Sequence, residues 1–407
     1  MNRKFSVILL VIFLISLIPL TTVYSQQSNP DGWPVFHHDS AHTGYSASSS
    51  PNITQTLWKY KTSAGIFSSP TIESGIIYFG SEDATIYALN SANGLQVWNF
   101  TTSIGVDSSP AISEGRVFVG SYDGNLYALD SMTGAKKWNY SMGGVYSSPT
   151  VDNGVVYVGS YDNALYALDA TQGSLVWSYT TKGSVFSSPA VVNGAVYFGS
   201  EDYNIYALKS NDGTFLWNFS AGSRVHSSPA YANGIIFVGS EGGTVYALNA
   251  TTGNKLWSYT TGGSVHSSPA VNSGKVFFGS ADHVLYALDA STGSSLWNFT
   301  TGDIVDSSPA IVNGLVYVAS TDHKIYALNV STGSLLEAFT TDDGIDSSPA
   351  IVNGILYIGS RDTYLYALGE LQATTPPGFS VSILIIAGVV IAVIVVVVVF
   401  LLRGKRG

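Results

Sequence analysis

Cysteine is absent from this chain of 407 residues, and charged side chains make up only 11% of it. The lack of cysteine excludes disulfide bonds, zinc ribbons, iron–sulfur clusters and thiol catalysis. The scarcity of Glu, Lys and Arg disfavours helical bundles and coiled coils, which are rich in these residues. Disorder is excluded as well, because hydrophobic residues make up 45% of the chain and are spread evenly through its interior.

Basic residues are few, and several are concentrated at the two ends. Five of the 17 lie in the first four or the last five positions, which leaves 12 basic and 27 acidic residues in the body. A body with this excess of negative charge offers no basic surface for a phosphate backbone. Nucleic acid is therefore not an expected partner.

The N-terminal end carries a pattern typical of export. Arg3 and Lys4 precede an uncharged segment that continues to Leu20, and Ser25 follows as a small residue suited to cleavage. This pattern predicts a signal peptide over residues 1–25, with an uncleaved anchor as the alternative.

The C-terminal end predicts a transmembrane helix over residues 381–402. Residues 383–402 carry no charge, and as a helix they span about 30 Å, the thickness of the hydrocarbon core of a bilayer. The basic tail, residues 403–407, follows directly and is expected to stay in the cytoplasm. Residues 370–380 contain two prolines and a glycine and indicate a short stalk. The expected location is the cell membrane, single-pass type I, with the body on the extracytoplasmic face.

Between these ends, one sequence unit is repeated eight times. Ser-Ser-Pro recurs every 39 or 40 residues from Pro70 to Pro349, and Tyr-Ala-Leu recurs with it. Each unit contains four short runs rich in Val, Ile, Tyr and Phe, separated by turn signals such as Asn193-Gly194. Four-stranded units repeated at this period predict a β-propeller, whose closure removes exposed sheet edges.

The strand count predicts how the ring closes. The eighth unit has only three predicted strands, and an unpaired strand at residues 56–60 precedes the first unit. Pairing the two completes an all-β, eight-bladed propeller of four-stranded antiparallel blades over residues 55–369. A lead-in strap over residues 26–54 precedes it, and its His37, His38 and His42 are interpreted as packed residues rather than metal ligands.

Tryptophan keeps the same period, and the residues around it resemble a known family. The segment Ala167-Leu-Asp-Ala-Thr-Gln-Gly-Ser-Leu-Val-Trp177 is one of several copies of Ala-x-Asp/Asn-x-x-x-Gly-x-x-x-Trp. This pattern resembles the tryptophan-docking motif of the pyrroloquinoline-quinone (PQQ) repeat family. The resemblance implies that the tryptophans are structural and pack between neighbouring blades. They are Trp58, Trp98, Trp138, Trp177, Trp217, Trp257 and Trp297.

The next position in this series holds Glu337, for which we predict no catalytic role. The family contains quinoprotein dehydrogenases and also cofactor-free propellers such as the outer-membrane assembly lipoprotein BamB. For the dehydrogenases, the resemblance implies a vicinal disulfide against the quinone, a calcium site and enlarged blades. This chain has no cysteine and keeps its units at 39 or 40 residues. No cofactor is therefore expected, and PQQ with calcium remains the less favoured alternative.

Differences between the repeats indicate where a ligand would bind. The residue before each Ser-Ser-Pro varies, and if it lies on the innermost strand, these side chains surround the central channel. In chain order they are Phe67, Asp107, Tyr146, Phe186, His226, His266, Asp306 and Asp346. His226, His266, Asp306 and Asp346, together with Asp107, form the candidate ligand site. The favoured alternative is a solvated lining without a ligand, and no metal is assigned.

Two further features recur along the chain. An Asp follows the second strand of nearly every unit and is interpreted as a turn cap rather than a calcium ligand. Asn-x-Ser/Thr sequons follow four of the tryptophans on the outermost strand, where a glycan would have room. These candidate glycosylation sites are Asn99, Asn139, Asn218 and Asn298.

No nucleophile–base pair, phosphate-binding loop or metalloprotease motif is present in the sequence. The function that we predict is non-catalytic: a membrane-anchored binding or scaffold propeller on the cell surface, whose partner is another protein or an envelope component. A PQQ-dependent dehydrogenase and a glycan-binding surface protein are the alternatives.

Overall fold

A computed structural model of the chain describes residues 32–370, which form eight antiparallel sheets. This architecture confirms the predicted all-β, eight-bladed propeller. Within this range there are no helices, and so no helix that could cross a membrane. The predicted signal peptide and transmembrane helix lie outside the described residues.

Each blade is a meander of four strands, and we number the blades by the copy of Ser-Ser-Pro that they contain. The innermost strands are Thr71–Glu73, Ala111–Ser113, Thr150–Asp152, Ala190–Val192, Ala230–Ala232, Ala270–Asn272, Ala310–Val312 and Ala350–Val352. The second strands are Ile76–Ser81, Arg116–Gly120, Val155–Gly159, Ala195–Gly199, Ile235–Gly239, Lys275–Gly279, Leu315–Ser320 and Ile355–Gly359. The third strands are Thr85–Asn90, Asn125–Asp130, Ala164–Asp169, Asn204–Lys209, Thr244–Asn249, Val284–Asp289, Lys324–Asn329 and Tyr364–Gly369. The outermost strands of blades 1 to 7 are Gln96–Thr101, Lys136–Ser141, Leu175–Thr180, Phe215–Ser220, Lys255–Thr260, Ser295–Thr300 and Leu335–Thr340.

Blade 8 takes its outermost strand from the other end of the propeller. Thr56–Lys61 pairs antiparallel with Tyr364–Gly369, with Trp58 opposite Ala367. This is the closure that the strand count predicts, and it ties the start of the ring to its end. A short strand of the lead-in, Tyr45–Ser46, also adds in parallel to the innermost strand of blade 7.

The innermost strand is shorter than its sequence suggests. The sequence predicts a strand over residues 185–191, yet the strand of blade 4 begins only at Ala190. The Ser-Ser-Pro segments before these strands do not continue the strand pairing. The first serine donates to the next blade, as from Ser68 Oγ to Ser108 O at 3.1 Å, and accepts from its own blade, as from Gly80 N–H at 3.0 Å. Proline contributes to this, because it has no N–H to donate to a sheet.

The second serines of the eight Ser-Ser-Pro copies form a closed circle of hydrogen bonds. The backbone N–H of Ser69 donates to the Oγ of Ser109 in the next blade at 2.9 Å. The same bond repeats around the propeller and ends where Ser348 donates to Ser69 Oγ, also at 2.9 Å. Each N–H that the short strands leave unpaired is thereby satisfied by the neighbouring blade.

The tryptophans connect the blades farther from the channel. Each indole N–H donates to a backbone carbonyl of the next blade; Trp217 Nε1 lies 3.0 Å from Ala250 O. The ring lies over a glycine of that blade, and a Cβ on Gly253 would approach Trp217 to 2.7 Å. Gly253 also has a φ of +71°, which glycine adopts without strain. The tryptophans therefore pack between neighbouring blades, as the resemblance to the tryptophan-docking motif implies.

The aspartates after the second strands have two roles. One oxygen accepts from the backbone of its own turn, as in the bond from Asn204 N–H to Asp202 Oδ1 at 3.1 Å. The other oxygen accepts from the Tyr206 hydroxyl at 2.6 Å. It also accepts, at 3.0 Å, from the N–H of Lys182, which follows the outermost strand of blade 3. The repeated Asp is therefore a turn cap that also fixes the tyrosine of Tyr-Ala-Leu.

Glu337 replaces a docking tryptophan because its junction differs from the others. A docking tryptophan packs on the turn that joins the third and outermost strands of the next blade. Within residues 32–370, blade 8 has no such turn, because its outermost strand comes from the N-terminal side of the propeller. The lead-in fills this place, and Ile53 N–H donates to Glu337 Oε2 at 2.8 Å. Tyr317 donates to the carbonyl of Pro51 at 3.0 Å in the same region.

The lead-in crosses one end of the channel and closes it. Its carbonyl oxygens accept hydrogen bonds from the innermost strands of six blades, whose N–H groups face the axis. The donors are Ile72, Ile112, Val191, Tyr231, Val271 and Ile311. A single segment thus bonds to most of the ring at once.

Two of the lead-in histidines are buried at its centre. The ring of His42 contacts Pro229 O and Thr150 Oγ1, each at 3.2 Å, and His37 Nδ1 lies 3.2 Å from His42 O. Burial lowers the pKa of His37 to about 3 and that of His42 to about 4. Both imidazoles are therefore neutral at pH 7 and act as packed hydrogen-bonding groups.

Candidate functional site

The channel contains a cavity of about 470 Å³. Phe36 of the lead-in contributes to its wall, and the second serines of Ser-Ser-Pro line its sides. The residues before Ser-Ser-Pro also line it, and we call them the channel ring: Phe67, Asp107, Tyr146, Phe186, His226, His266, Asp306 and Asp346. The structure thus brings together all five residues of the candidate ligand site.

A second set of variable residues lies beside the channel ring. These residues directly follow the serine that ends or succeeds each second strand, and we call them the rim. They are Glu82, Tyr122, Tyr161, Glu201, Glu241, Ala281, Thr321 and Arg361. The sequence analysis did not single them out, although the position varies as strongly as the channel ring. Comparing the repeats at this position, which follows Gly-Ser in seven of the eight units, would have revealed it.

Blades 2 to 4 give the site an aromatic side. The rings of Tyr161 and Phe186 are 4.4 Å apart, and those of Tyr146 and Phe186 are 5.8 Å apart. Tyr122 lies 6.1 Å from both Tyr146 and Tyr161. Tyr146 and Tyr161 remain 43% and 42% exposed, so this aromatic cluster faces solvent in the channel. Such surfaces bind flat groups, sugar faces or cations.

Carboxyl groups lie near this aromatic side. Burial and the nearby charges of Asp107, Asp346 and Asp306 raise the pKa of Tyr146. Burial, followed by the adjacent carboxylate of Glu82, raises the pKa of Asp107 to about 8. The raised pKa favours the protonated form of Asp107, whose Oδ2 accepts from the Tyr122 hydroxyl at 2.9 Å. Two carboxyl groups this close hold a proton because both cannot ionise cheaply.

The channel ring and the rim contribute one basic side chain to the site, and Arg224 lies at its edge, 3.8 Å from Glu201 Oε1. Arg361 makes a bidentate pair with Asp346, with Nε–Oδ2 at 2.6 Å and Nη2–Oδ1 at 2.8 Å. The channel ring and the rim together contain six carboxyl groups and this one arginine. The site is consequently acidic and suited to a ligand with positive charge.

Blades 4 to 7 carry an alternating row of carboxylates and imidazoles. His226 Nε2 lies 3.2 Å from Glu201 Oε1, and His226 Nδ1 lies 3.3 Å from Glu241 Oε1. The same Glu241 oxygen lies 3.7 Å from His266 Nε2, and His266 Nδ1 lies 3.4 Å from Asp306 Oδ1. The Asp306 carboxylate raises the pKa of His266 above its usual value. All five side chains keep partial access to the channel, with exposures between 21% and 37%.

The histidines that follow the second strands of blades 6 and 7, and the candidate glycosylation sites, lie away from the channel. His283 and His323 are 46% and 47% exposed beside Asp303 and Asp343. The four candidate glycosylation sites are exposed on the outermost strands: Asn99, Asn139, Asn218 and Asn298. Their modification remains a prediction.

The fold and the repeated docking residues place the chain in a family of β-propellers. It belongs to the family described as the β-propeller of the β-alanine-activating enzyme, whose model matches residues 105–370. The family model for the outer-membrane protein assembly factor BamB matches residues 47–147. No curated protein matches the chain in sequence.

Several solved structures share the fold. BamB from Moraxella catarrhalis superposes with a TM-score of 0.69 at 18% identity, covering 78% of this chain and 99% of BamB. The computationally designed protein Ika8 superposes with a TM-score of 0.71 at 17% identity, covering 78% of this chain and 100% of the design. A europium-containing methanol dehydrogenase gives a TM-score of 0.74 at 14% identity, covering 84% and 98%. At these identities the likeness concerns the fold alone.

The channel is chemically unsuited to PQQ. The quinone carries three carboxyl groups, whereas the channel ring and the rim contain six carboxyl groups and a single arginine, which is already paired with Asp346. An anionic cofactor would meet like charges with no free basic partner in these two sets. The imidazole-containing row is equally unlike a calcium site, which uses oxygen ligands.

Proposed function

We propose that this chain is a membrane-anchored propeller on the extracytoplasmic face that binds a partner protein without catalysing a reaction. The binding site is the channel end that carries the channel ring and the rim. The observation that supports this most strongly is the distribution of variation. Blade contacts repeat almost unchanged, whereas the two sets around the cavity differ from blade to blade.

The partner's chemistry follows from the two sides of the cavity. A basic side chain can place its stem or guanidinium against Tyr146 and Phe186 while its charge lies near Asp306 and Asp346. The cavity of about 470 Å³ suits one or two side chains rather than a folded domain. We therefore propose that a loop or terminus of the partner presents an arginine or lysine to the channel.

A peptide titration tests this recognition. Full-length protein in detergent is titrated with a fluorescent arginine-containing peptide and with the same peptide carrying citrulline, which keeps the shape and removes the charge. The arginine peptide should bind at least about 10-fold more tightly at low salt and lose this advantage in Asp306→Asn. Glu114→Gln, which removes an exposed carboxylate in a turn, is the matched control. Equal binding of both peptides would contradict the proposed chemistry.

The membrane topology needs its own test, because it rests on the sequence. The uncharged residues 383–402 and the basic tail support an anchor with the propeller outside. Protease added to intact cells should digest the propeller and leave an epitope at the C-terminus protected. Protection of the propeller would overturn the proposed location.

Glycan binding is the second candidate, because Tyr146 and Tyr161 are exposed beside Phe186. Sugar rings stack on such surfaces through their C–H faces. A neutral oligosaccharide that competes with the arginine peptide, and loses affinity in Tyr146→Ala but not in Asp306→Asn, would favour this function.

A further inference from the structure

We infer that the channel binds a divalent transition-metal ion of the zinc type, held by His226, Glu241 and His266. This inference does not depend on the proposed partner, because metal uptake is measured with no partner present. The two imidazoles come from the channel rings of blades 5 and 6, and the carboxylate comes from the rim of blade 5. One ligand atom of each of the three lies within 4.8 Å of the others.

The spacing of these atoms is close to that of a metal site. Glu241 Oε1 lies 3.3 Å from His226 Nδ1 and 3.7 Å from His266 Nε2. In a tetrahedral zinc site with bonds of about 2.0 Å, neighbouring ligand atoms are about 3.3 Å apart. Of the three edges between these ligand atoms, one therefore already has the expected length and the second is close to it. The third, between the two imidazoles, is at most 4.8 Å and would shorten by rotation of the rings.

The second nitrogen of each imidazole has a carboxylate partner. His226 Nε2 faces Glu201 at 3.2 Å, and His266 Nδ1 faces Asp306 at 3.4 Å. Metal-bound histidines almost always have such an outer partner, which fixes the tautomer and orients the ring. Two separate blades supply this arrangement here, so both ligands are oriented towards the same point.

The hydrogen bonding and charge of this row also favour a bound cation. A neutral imidazole has one N–H, so two of them cannot donate at all four contacts with the surrounding carboxylates. His266 Nε2 and Asp306 Oδ1 are shielded from solvent and find no hydrogen-bond partner among residues 32–370. A cation between the three ligands would satisfy His266 Nε2 and offset the charge of Glu241.

The donor set selects the kind of metal. Two imidazole nitrogens and one carboxylate suit zinc and its neighbours, whereas calcium and magnesium prefer oxygen ligands alone. With three protein ligands, the fourth position faces the cavity, as it does in zinc sites that bind water or a ligand. The ion would thus present a Lewis-acidic point to whatever enters the channel.

The test is metal binding by the full-length, tag-free protein in detergent. Calorimetry with zinc should show one tight ion per chain, and cobalt(II) in its place should give the intense visible bands of a four- or five-coordinate site. His226→Ala and Glu241→Gln should each weaken zinc binding by at least about 100-fold, and Asp306→Asn by about 10-fold. The double variant His283→Ala with His323→Ala removes two exposed histidines elsewhere and should leave the affinity unchanged.

Three results would overturn the inference. The first is no saturable zinc uptake at micromolar concentration by a chain whose circular dichroism shows it folded. The second is uptake that persists in both His226→Ala and Glu241→Gln. The third is uptake that disappears with His283 and His323, which would place the ion on the surface. Loss of peptide binding with zinc uptake intact would count against the proposed function alone.

Discussion

The junctions between blades and the lining of the channel come from the same repeat, yet they differ in how strictly the repeat is kept. At the junctions, seven tryptophans make one and the same bond to the next blade. Around the channel, eight equivalent positions hold Phe, Tyr, His or Asp. The difference indicates that stability resides in the repeated contacts, and that the lining is free to be specialised for binding. The predictions below test this division.

The largest loss of stability is expected at a junction. Trp217→Ala removes a buried indole and its bond to Ala250, and should lower the free energy of unfolding by about 3–5 kcal/mol. Tyr146→Ala in the channel ring should cost less, about 1 kcal/mol, because its side chain is 43% exposed and makes no hydrogen bond to the next blade like that of Trp217. Denaturant unfolding of the full-length protein measures both, and equal losses would contradict the division.

Acid should weaken the lead-in. The folded-state pKa values of His37 and His42, about 3 and about 4, lie below the unfolded value of 6.5. Below pH 6.5 the unfolded chain gains protons that the folded chain does not, so stability falls as the pH drops towards 4. His42 alone should contribute of the order of 3 kcal/mol, with Asp39 as its charged neighbour. The unfolding free energy in His42→Gln should depend less on pH between 7 and 4, and an unchanged slope would contradict the assignment.

A glycine pair can isolate the tryptophan contact from backbone strain. Gly253 and Gly234 both have positive φ, but a Cβ would reach Trp217 only from Gly253 and would meet no atom within 4 Å at Gly234. Gly253→Ala should therefore cost about 2 kcal/mol more than Gly234→Ala. Thermal unfolding compares them directly, and equal costs would mean that the tryptophan packing contributes little.

One channel substitution should increase stability. The pKa of Asp107 is about 8 in the folded chain and 3.8 in the unfolded chain, so its contribution becomes unfavourable as the pH rises from about 4 to 8. Asp107→Asn removes the ionisable group and should therefore stabilise the protein at pH 8, with little effect at pH 4. A loss of stability at both pH values would show that Asp107 has a structural role.

The smallest effect is expected at the junction that lacks tryptophan. Glu337→Gln weakens the bond from Ile53 N–H and should cost about 0.5–1 kcal/mol. Glu114→Gln, in an exposed turn, should cost nothing measurable. An effect as large as that of Trp217→Ala would mean that the closing junction depends on this carboxylate.

Much of the fold could be predicted from the sequence, because a period of 40 residues and four strand patterns per unit leave few architectures. The unpaired strand predicted at residues 56–60 also indicated the closure, which the structure forms with Thr56–Lys61. The predicted length of the innermost strands was wrong. Ser-Ser-Pro makes hydrogen bonds to the next blade, and a local sequence pattern does not reveal such hydrogen-bond partners. The path of the lead-in across the channel could not be predicted either, because this segment occurs once and has no period.

The sequence predicted only some of the residues of the candidate site. Variation before Ser-Ser-Pro indicated His226 and His266, but not that Glu241 lies between them. That contact depends on how neighbouring blades are rotated, which brings the rim of one blade beside the channel ring of the next. Sequence spacing alone does not contain that rotation.

The measurement that tests the account most directly is thermal unfolding of the wild type and Glu241→Gln, each with and without zinc. Without zinc, the two should unfold at nearly the same temperature, because the channel does not carry the stability. Zinc at 100 times its dissociation constant should stabilise the wild type by about 2.7 kcal/mol and leave the variant unchanged. A variant that unfolds much earlier without zinc, or one that zinc stabilises as much as the wild type, would contradict the account.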